Sequence, residues 1–239
     1  MLLLRHLFIY FLIGIFALSP SVASSQRLSL QDAFLASLDS ISLSSSPAKD
    51  FAIVYLKTTI GAQKYFEKDS DSIQGLMNRF ENRFCDYFLK AAIAYRDSTD
   101  IPVPWKKYYA KTNSSTLRQM LHGINAHMNG DLWQTLTHEF TLEEIKVLKK
   151  SYYSFHTYLQ QDYNDIYEYA IASNRRMKRL HSLSLGIDKW YGAWLLRKWR
   201  KRQYTIAELF YTNPNKFYKK KKKVERKLMA VNRLIAFYF

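Results

Sequence analysis

The stretch DSIQGLMNRFENRFCDYFLKAAIAY, Asp71–Tyr95, sets Leu76, Phe80, Phe84, Phe88 and Ala91 at intervals of four, four, four and three. That is the period of one helix face, and no strand alternation fits it. The same period extends outward in both directions. Upstream, a helix is expected from about Ser29 to Leu43. Ser44-Ser45-Ser46-Pro47 breaks it and starts the next, with Ser46 as N-cap and Pro47 in the first position. That helix carries Phe51, Val54, Tyr55, Thr58 and Ala62 on one side.

Downstream, Ile101-Pro102-Val103-Pro104-Trp105 cannot continue a helix and reads as an ordered connection with its tryptophan packed on the body. Asn113 to Thr116 caps a helix that is expected to run to about His138. Thr141, followed by Glu143 and Glu144, opens another reaching about Ala172. Beyond Gly186 come Trp190, Trp194 and Trp199, then a break at Asn213-Pro214-Asn215 and a last helix from about Phe217. The expectation is an all-α protein: a single multi-helix bundle over residues 24–185 and a basic, aromatic-rich C-terminal helical extension over residues 186–239.

The first 23 residues read as a secretory signal peptide. Arg5 and His6 precede an apolar run from Leu7 to Leu18, and Ser21-Val22-Ala23 offers the small residues of a cleavage site. The alternative is an uncleaved membrane anchor. Export to a periplasmic or extracellular setting is therefore expected. Cys85 is the only cysteine, so no internal disulfide forms, and Phe84 and Phe88 beside it suggest a buried, inert thiol.

The net charge of +16 is concentrated in one quarter of the chain. From Gly186 to Phe239 fifteen Lys and Arg face only Asp188, Glu208 and Glu225. Arg197, Lys198, Arg200, Lys201, Arg202 and Lys219, Lys220, Lys221, Lys222, Lys223 are interleaved with Trp, Tyr and Phe. Such a segment fits an anionic lipid surface or an envelope polymer, fits nucleic acid less well in an exported chain, or is simply a solvated helix face.

Chemistry concentrates in Asn125-Ala126-His127-Met128-Asn129-Gly130-Asp131-Leu132. At 100° per residue His127, Asp131 and His138 fall within 40° of one another, so they share one face of a regular helix. Two imidazoles and a carboxylate so placed suit zinc or another divalent metal, which lowers the pKa of a bound water to about 7. Further ligands could come from His122, Asp86, His156 or Asp162. The same residues also fit a buried polar core in which Asp131 fixes His127 while Asn125 and Asn129 bridge helices. No nucleophile–base pair, phosphate loop or dinucleotide motif stands out.

Two resemblances add to this reading. Residues from Asp50 to about Tyr167 resemble an uncharacterised bacterial family of helical domains with an N-A-H-I-N-x-D-L core. The match is Gly123 to Leu132, with Ile101-Pro102-Val103-Pro104-Trp105, Phe51-Ala52-Ile53-Val54-Tyr55 and Phe84-Cys85-Asp86-Tyr87-Phe88 as supporting segments. The resemblance implies a helical fold and no reaction. More locally, His127 to Leu136 resembles the H-x-x-G-D-x-x-Q-P-x-H stretch of zinc-dependent phospholipase C and single-strand nucleases. It implies that His127 and Asp131 are zinc ligands, with His138 displaced by one position. Thr135 stands where that motif has proline, and Gln160 lies four residues after His156 where an acid is needed.

Two functions follow as expectations. One is an exported metal-dependent hydrolase acting on phosphoesters through His127 and Asp131. The other is a non-catalytic cell-envelope protein with a structural polar core and a basic tail on anionic membrane.

Overall fold

A computed structural model of the chain describes residues 23–110, 115–173, 175–184 and 187–238, with the side chains of residues 23–32, of several positions between 161 and 188 and of Tyr238 outside that description. The signal peptide expected over residues 1–23 falls outside it too, but for the backbone of Ala23. Among the described residues every regular element is a helix. None of them is long and apolar enough to cross a membrane.

The stripe in Asp71–Tyr95 organises the molecule. It forms α3 (Asp71–Arg96), following α1 (Ala23–Ser42) and α2 (Lys49–Phe66). Phe80, Phe84, Phe88 and Ala91 of the expected stripe are buried, joined by Met77, Cys85 and Ala94, while Leu76 is half-buried and packs at the edge of the core. They meet Phe51 and Tyr55 of α2, where an edge-on pair such as Phe51–Phe88, 5.0 Å between centroids, gives aromatic packing its preferred geometry. Burial pushes the Cys85 thiol pKa well up, so the side chain behaves as a small core residue.

A short 3-10 turn, Val103–Trp105, and α4 (Lys106–Tyr109) lead to α5 (Thr116–Ala126), a π turn (His127–Asp131) and α6 (Leu132–Glu139). The helix expected to run unbroken to His138 is thus interrupted. Ser115 caps α5, its hydroxyl accepting from the Arg118 N–H. Next comes α7 (Leu142–Ser173), opened by a capping box. Glu144 Oε2 accepts from the Thr141 N–H at 2.8 Å, and Thr141 Oγ1 accepts from the Glu144 N–H at 3.3 Å. Arg79 of α3 clips this corner, donating to Glu139 Oε1 at 3.0 Å, the Glu139 carbonyl at 2.6 Å and Glu144 Oε1 at 2.6 Å.

The chain ends with α8 (Arg175–Ser184), α9 (Ile187–Thr212) and α10 (Pro214–Tyr238). Sequence places the last two in an extension, yet Trp199, Tyr204 and Ala207 belong to the same apolar cluster as Phe51 and Phe84. Tyrosines dock α9 by reaching carbonyls on neighbouring helices. Tyr204 Oη donates to the Ile145 carbonyl at 2.9 Å and Tyr211 Oη to the Thr137 carbonyl at 2.9 Å. α10 turns Phe217, Val224, Leu228, Asn232 and Ile235 inward. Its other face, with most of the lysines, is exposed.

Candidate functional site

The chemistry-bearing segment lies where α5 passes into α6, and it is buried from His122 to Thr137 except at Ile124 and Gln134, which are half-buried. The π turn is closed by the Leu132 N–H donating to the His127 carbonyl, five residues back. Single π turns inside α-helices widen the backbone by one residue and recur at functional positions. One of its residues, Gly130, lets another segment pack against it. A Cβ on Gly130 would lie 2.4 Å from Pro104 Cβ, so only glycine lets the Val103–Trp105 turn press against this backbone.

That close approach delivers Trp105. Its Nε1–H donates to Asp131 Oδ2 at 2.9 Å, and His127 Nδ1 lies 3.0 Å from the same oxygen. Asp131 is 1 % exposed and His127 4 %. Phe84 stacks on the imidazole with centroids 3.4 Å apart, and Tyr55 meets it edge-on at 4.5 Å. Burial holds the His127 pKa well below its usual range. It pushes the Asp131 carboxyl well above its own, against the downward pull of the Trp105 N–H. The arrangement favours the Nδ1–H tautomer, since Nε2 has no hydrogen-bond partner.

A second network leaves the other side of the same segment. Asn232 Oδ1, on α10, accepts from His122 Nδ1 at 2.7 Å and from Asn125 Nδ2 at 3.0 Å. Asn125 Nδ2 also reaches the Leu228 carbonyl at 3.0 Å. Asn129 Nδ2 donates to Asn125 Oδ1 at 2.9 Å, and Gln203 Nε2, on α9, reaches Asn129 Oδ1 at 3.3 Å. The N-A-H-x-N-x-D-L segment therefore faces two ways. His127 and Asp131 hold the Trp105 turn, while Asn125 and Asn129 hold the C-terminal helices.

The other candidate ligands do not join His127 and Asp131. His138 is exposed, its Nδ1 2.8 Å from the Tyr87 hydroxyl. The π turn is the reason: one extra residue turns everything after it by about 100°, so a phase counted along a regular α-helix fails beyond Asp131. Asp86 pairs with Arg83 at 2.9 Å and Lys90 at 2.7 Å. His122 is engaged with Asn232. His156 lies on α7, its pKa lowered to about 4 by burial and by Arg200 and Arg197. The Asp162 side chain is outside the described residues. Among the described residues no group of three or more His, Cys, Asp and Glu side chains comes together around one ion position.

Arg200, grouped by sequence with the surface cations, is instead 5 % exposed. Its guanidinium donates to the Tyr152 carbonyl at 2.7 Å and lies 4.2 Å from the Tyr152 ring centroid. It also faces Glu81, whose carboxyl burial raises to about 7 while Arg200 opposes the rise. Arg202 and Lys221 are half-buried, whereas Arg197, Lys198, Lys201, Lys219, Lys220, Lys222 and Lys223 are exposed. Sequence reasoning missed Asn232, Gln203 and Glu81 as partners. Each is a polar residue at a core position of an apolar stripe, and that signal was available.

A family model described as "Family of unknown function (DUF5995)" matches residues 32–236. The chain belongs to that family, and the match runs through the bundle and both C-terminal helices. No curated protein and no solved structure matches the chain, so the local likeness to zinc phosphodiesterases has no counterpart among them.

Proposed function

We propose that this member of the family is a non-catalytic binding protein that presents the cationic face of α9 and α10 to a polyanionic surface. Its N-A-H-x-N-x-D-L segment then serves as an internal clamp. The observation that carries the reading is the exposed row Lys216, Lys219, Lys220, Lys222, Lys223 and Arg226 on α10, a helix whose only acid is Glu225. A solvated face ordinarily mixes both signs, while a single-sign field recruits a counter-charged partner.

The clustering crosses between the helices. The pKa of Lys227 is lowered by burial and then by the charges of Arg202, Lys223, Lys198 and Lys220, so cations of both helices form one patch. By contrast, a substrate has no route to the His127–Asp131 pair unless the aromatic packing around it opens. The leader pattern of residues 1–23 supports an envelope setting.

The test is binding of the full chain to inorganic polyphosphate at low and high salt. Each lysine near a polyanionic surface contributes about 1 kcal/mol, so changing Lys219, Lys220, Lys222 and Lys223 to Gln weakens binding by roughly two to three orders of magnitude. Salt is expected to abolish the interaction. Binding that ignores both salt and these four substitutions would refute the reading.

A further inference from the structure

The cations are not the only unusual feature of the hairpin formed by α9 and α10. On α9, Ile187, Trp190, Tyr191 and Trp194 are 66 %, 65 %, 52 % and 38 % exposed. At 100° per residue they share one face with Arg197, Lys198 and Lys201. Lys198 Nζ lies 4.2 Å from the Trp194 ring centroid, so the aromatic and cationic stretches touch. On α10, Met229, Leu234 and Phe237 are 55 %, 56 % and 81 % exposed, alternating with Arg226 and Arg233.

The two helices fold back on each other about Asn213, which brings Lys198 and Arg202 of α9 within electrostatic reach of Lys227 on α10. Trp190 and Trp194 on α9, like Leu234 and Phe237 on α10, lie many residues from the turn, and the lysine row lies close to it. α8 carries its own exposed apolar and cationic group. Leu183, 84 % exposed, borders an open depression of about 500 Å³ lined by Arg175, Lys178, Arg179 and Ser182.

Building on the cationic-face reading, we infer that the partner is an anionic lipid bilayer, with the Ile187–Trp194 face of α9 inserted at headgroup depth and the lysine row lying on the phosphates. Charge complementarity alone would admit a nucleic acid. Bases stack on Trp and Tyr but gain little from Ile187, Leu183, Met229 and Leu234. A membrane interface uses all of them. Apolar side chains enter the acyl boundary, indoles sit among the headgroups, and Lys and Arg remain at the phosphates.

The protein contains its own reporter. Trp105, Trp133 and Trp199 are buried, so Trp190 and Trp194 are the tryptophans that a membrane can reach. The full chain is mixed with vesicles of phosphatidylglycerol and phosphatidylcholine carrying brominated acyl chains. Tryptophan fluorescence should be quenched on binding. In the Trp190→Ser, Trp194→Ser double variant, whose helix content is checked by circular dichroism, quenching should vanish and vesicle affinity should fall about tenfold or more. Vesicle binding without quenching overturns insertion. Binding to polyphosphate but not to vesicles overturns the lipid partner and leaves the cationic-face reading standing. Binding to neither overturns both.

Discussion

Trp105 donates its indole N–H to Oδ2 of Asp131 at 2.9 Å, across 26 positions of chain and with both side chains buried. This bond turns a proline-rich connection into a wedge held against the π turn. Replacing Trp105 with Phe keeps an aromatic ring but removes the N–H donor from the buried Asp131 carboxyl and leaves the space of the indole's second ring unfilled. A loss of about 1–3 kcal/mol is expected, read as a lower urea midpoint at unchanged m-value. A change under about 0.5 kcal/mol would show that the N–H contributes nothing.

Asn125 and Asn232 fasten the last helix to the same segment from the other side. Either Asn→Ala change strands buried partners and should cost about 2 kcal/mol. Made together, the two should cost less than their sum by about 1 kcal/mol, because they share one hydrogen-bond network. Strict additivity in thermal or urea unfolding would mean that the bond is not formed.

Gly130 inverts a general rule. Alanine in an ordinary helix position gains about 1 kcal/mol over glycine. Here the added methyl meets the Pro104 ring, and Gly130→Ala should destabilise by about 1–3 kcal/mol. Pro104→Ala in the same chain should restore part of the loss. A stabilised Gly130→Ala protein would contradict the close packing.

Glu81 gives the protein a pH dependence of defined sign. Its carboxyl is raised from 4.5 to about 7 by burial, so the folded state holds the proton more tightly than the unfolded one. Its contribution is complete below about pH 4.5 and is lost as pH rises through about 7. His156 acts in the opposite direction. Lowered from 6.5 to about 4, it contributes stability above pH 6.5 that is lost as pH falls through 4. The two slopes oppose each other in wild type, so the difference between proteins is the useful measurement. Glu81→Gln, which mimics the protonated acid, should gain on wild type as pH rises from 4.5 to 7. A flat or falling difference would mean that Glu81 is stably ionised beside Arg200.

Much of the fold was legible because helix faces are written locally. The Phe80-Phe84-Phe88 stripe, the Thr141–Glu144 capping box and the break at Asn213-Pro214 each depend on residues within a few turns of one another. The signature segment was legible as a place and not as a geometry. His138 shares a face with Asp131 only if the helix is regular, and the π turn at His127–Asp131 makes it irregular. Arg200 reads as one of a run of surface cations, yet it lies under Tyr152 because α9 docks there.

By itself, then, the sequence determined an all-α chain, much of the inward face of the two helices around Phe51 and Phe84, and the concentration of positive charge in the last quarter. Tertiary structure alone decided that His127 and Asp131 answer to Trp105, that Asn125 and Asn129 answer to Gln203 and Asn232, and that the C-terminal helices complete the core. Periodicity records which side of a helix avoids water. It holds no information on which distant helix will cover that side, because that choice is made by the fit of whole surfaces when the helices pack.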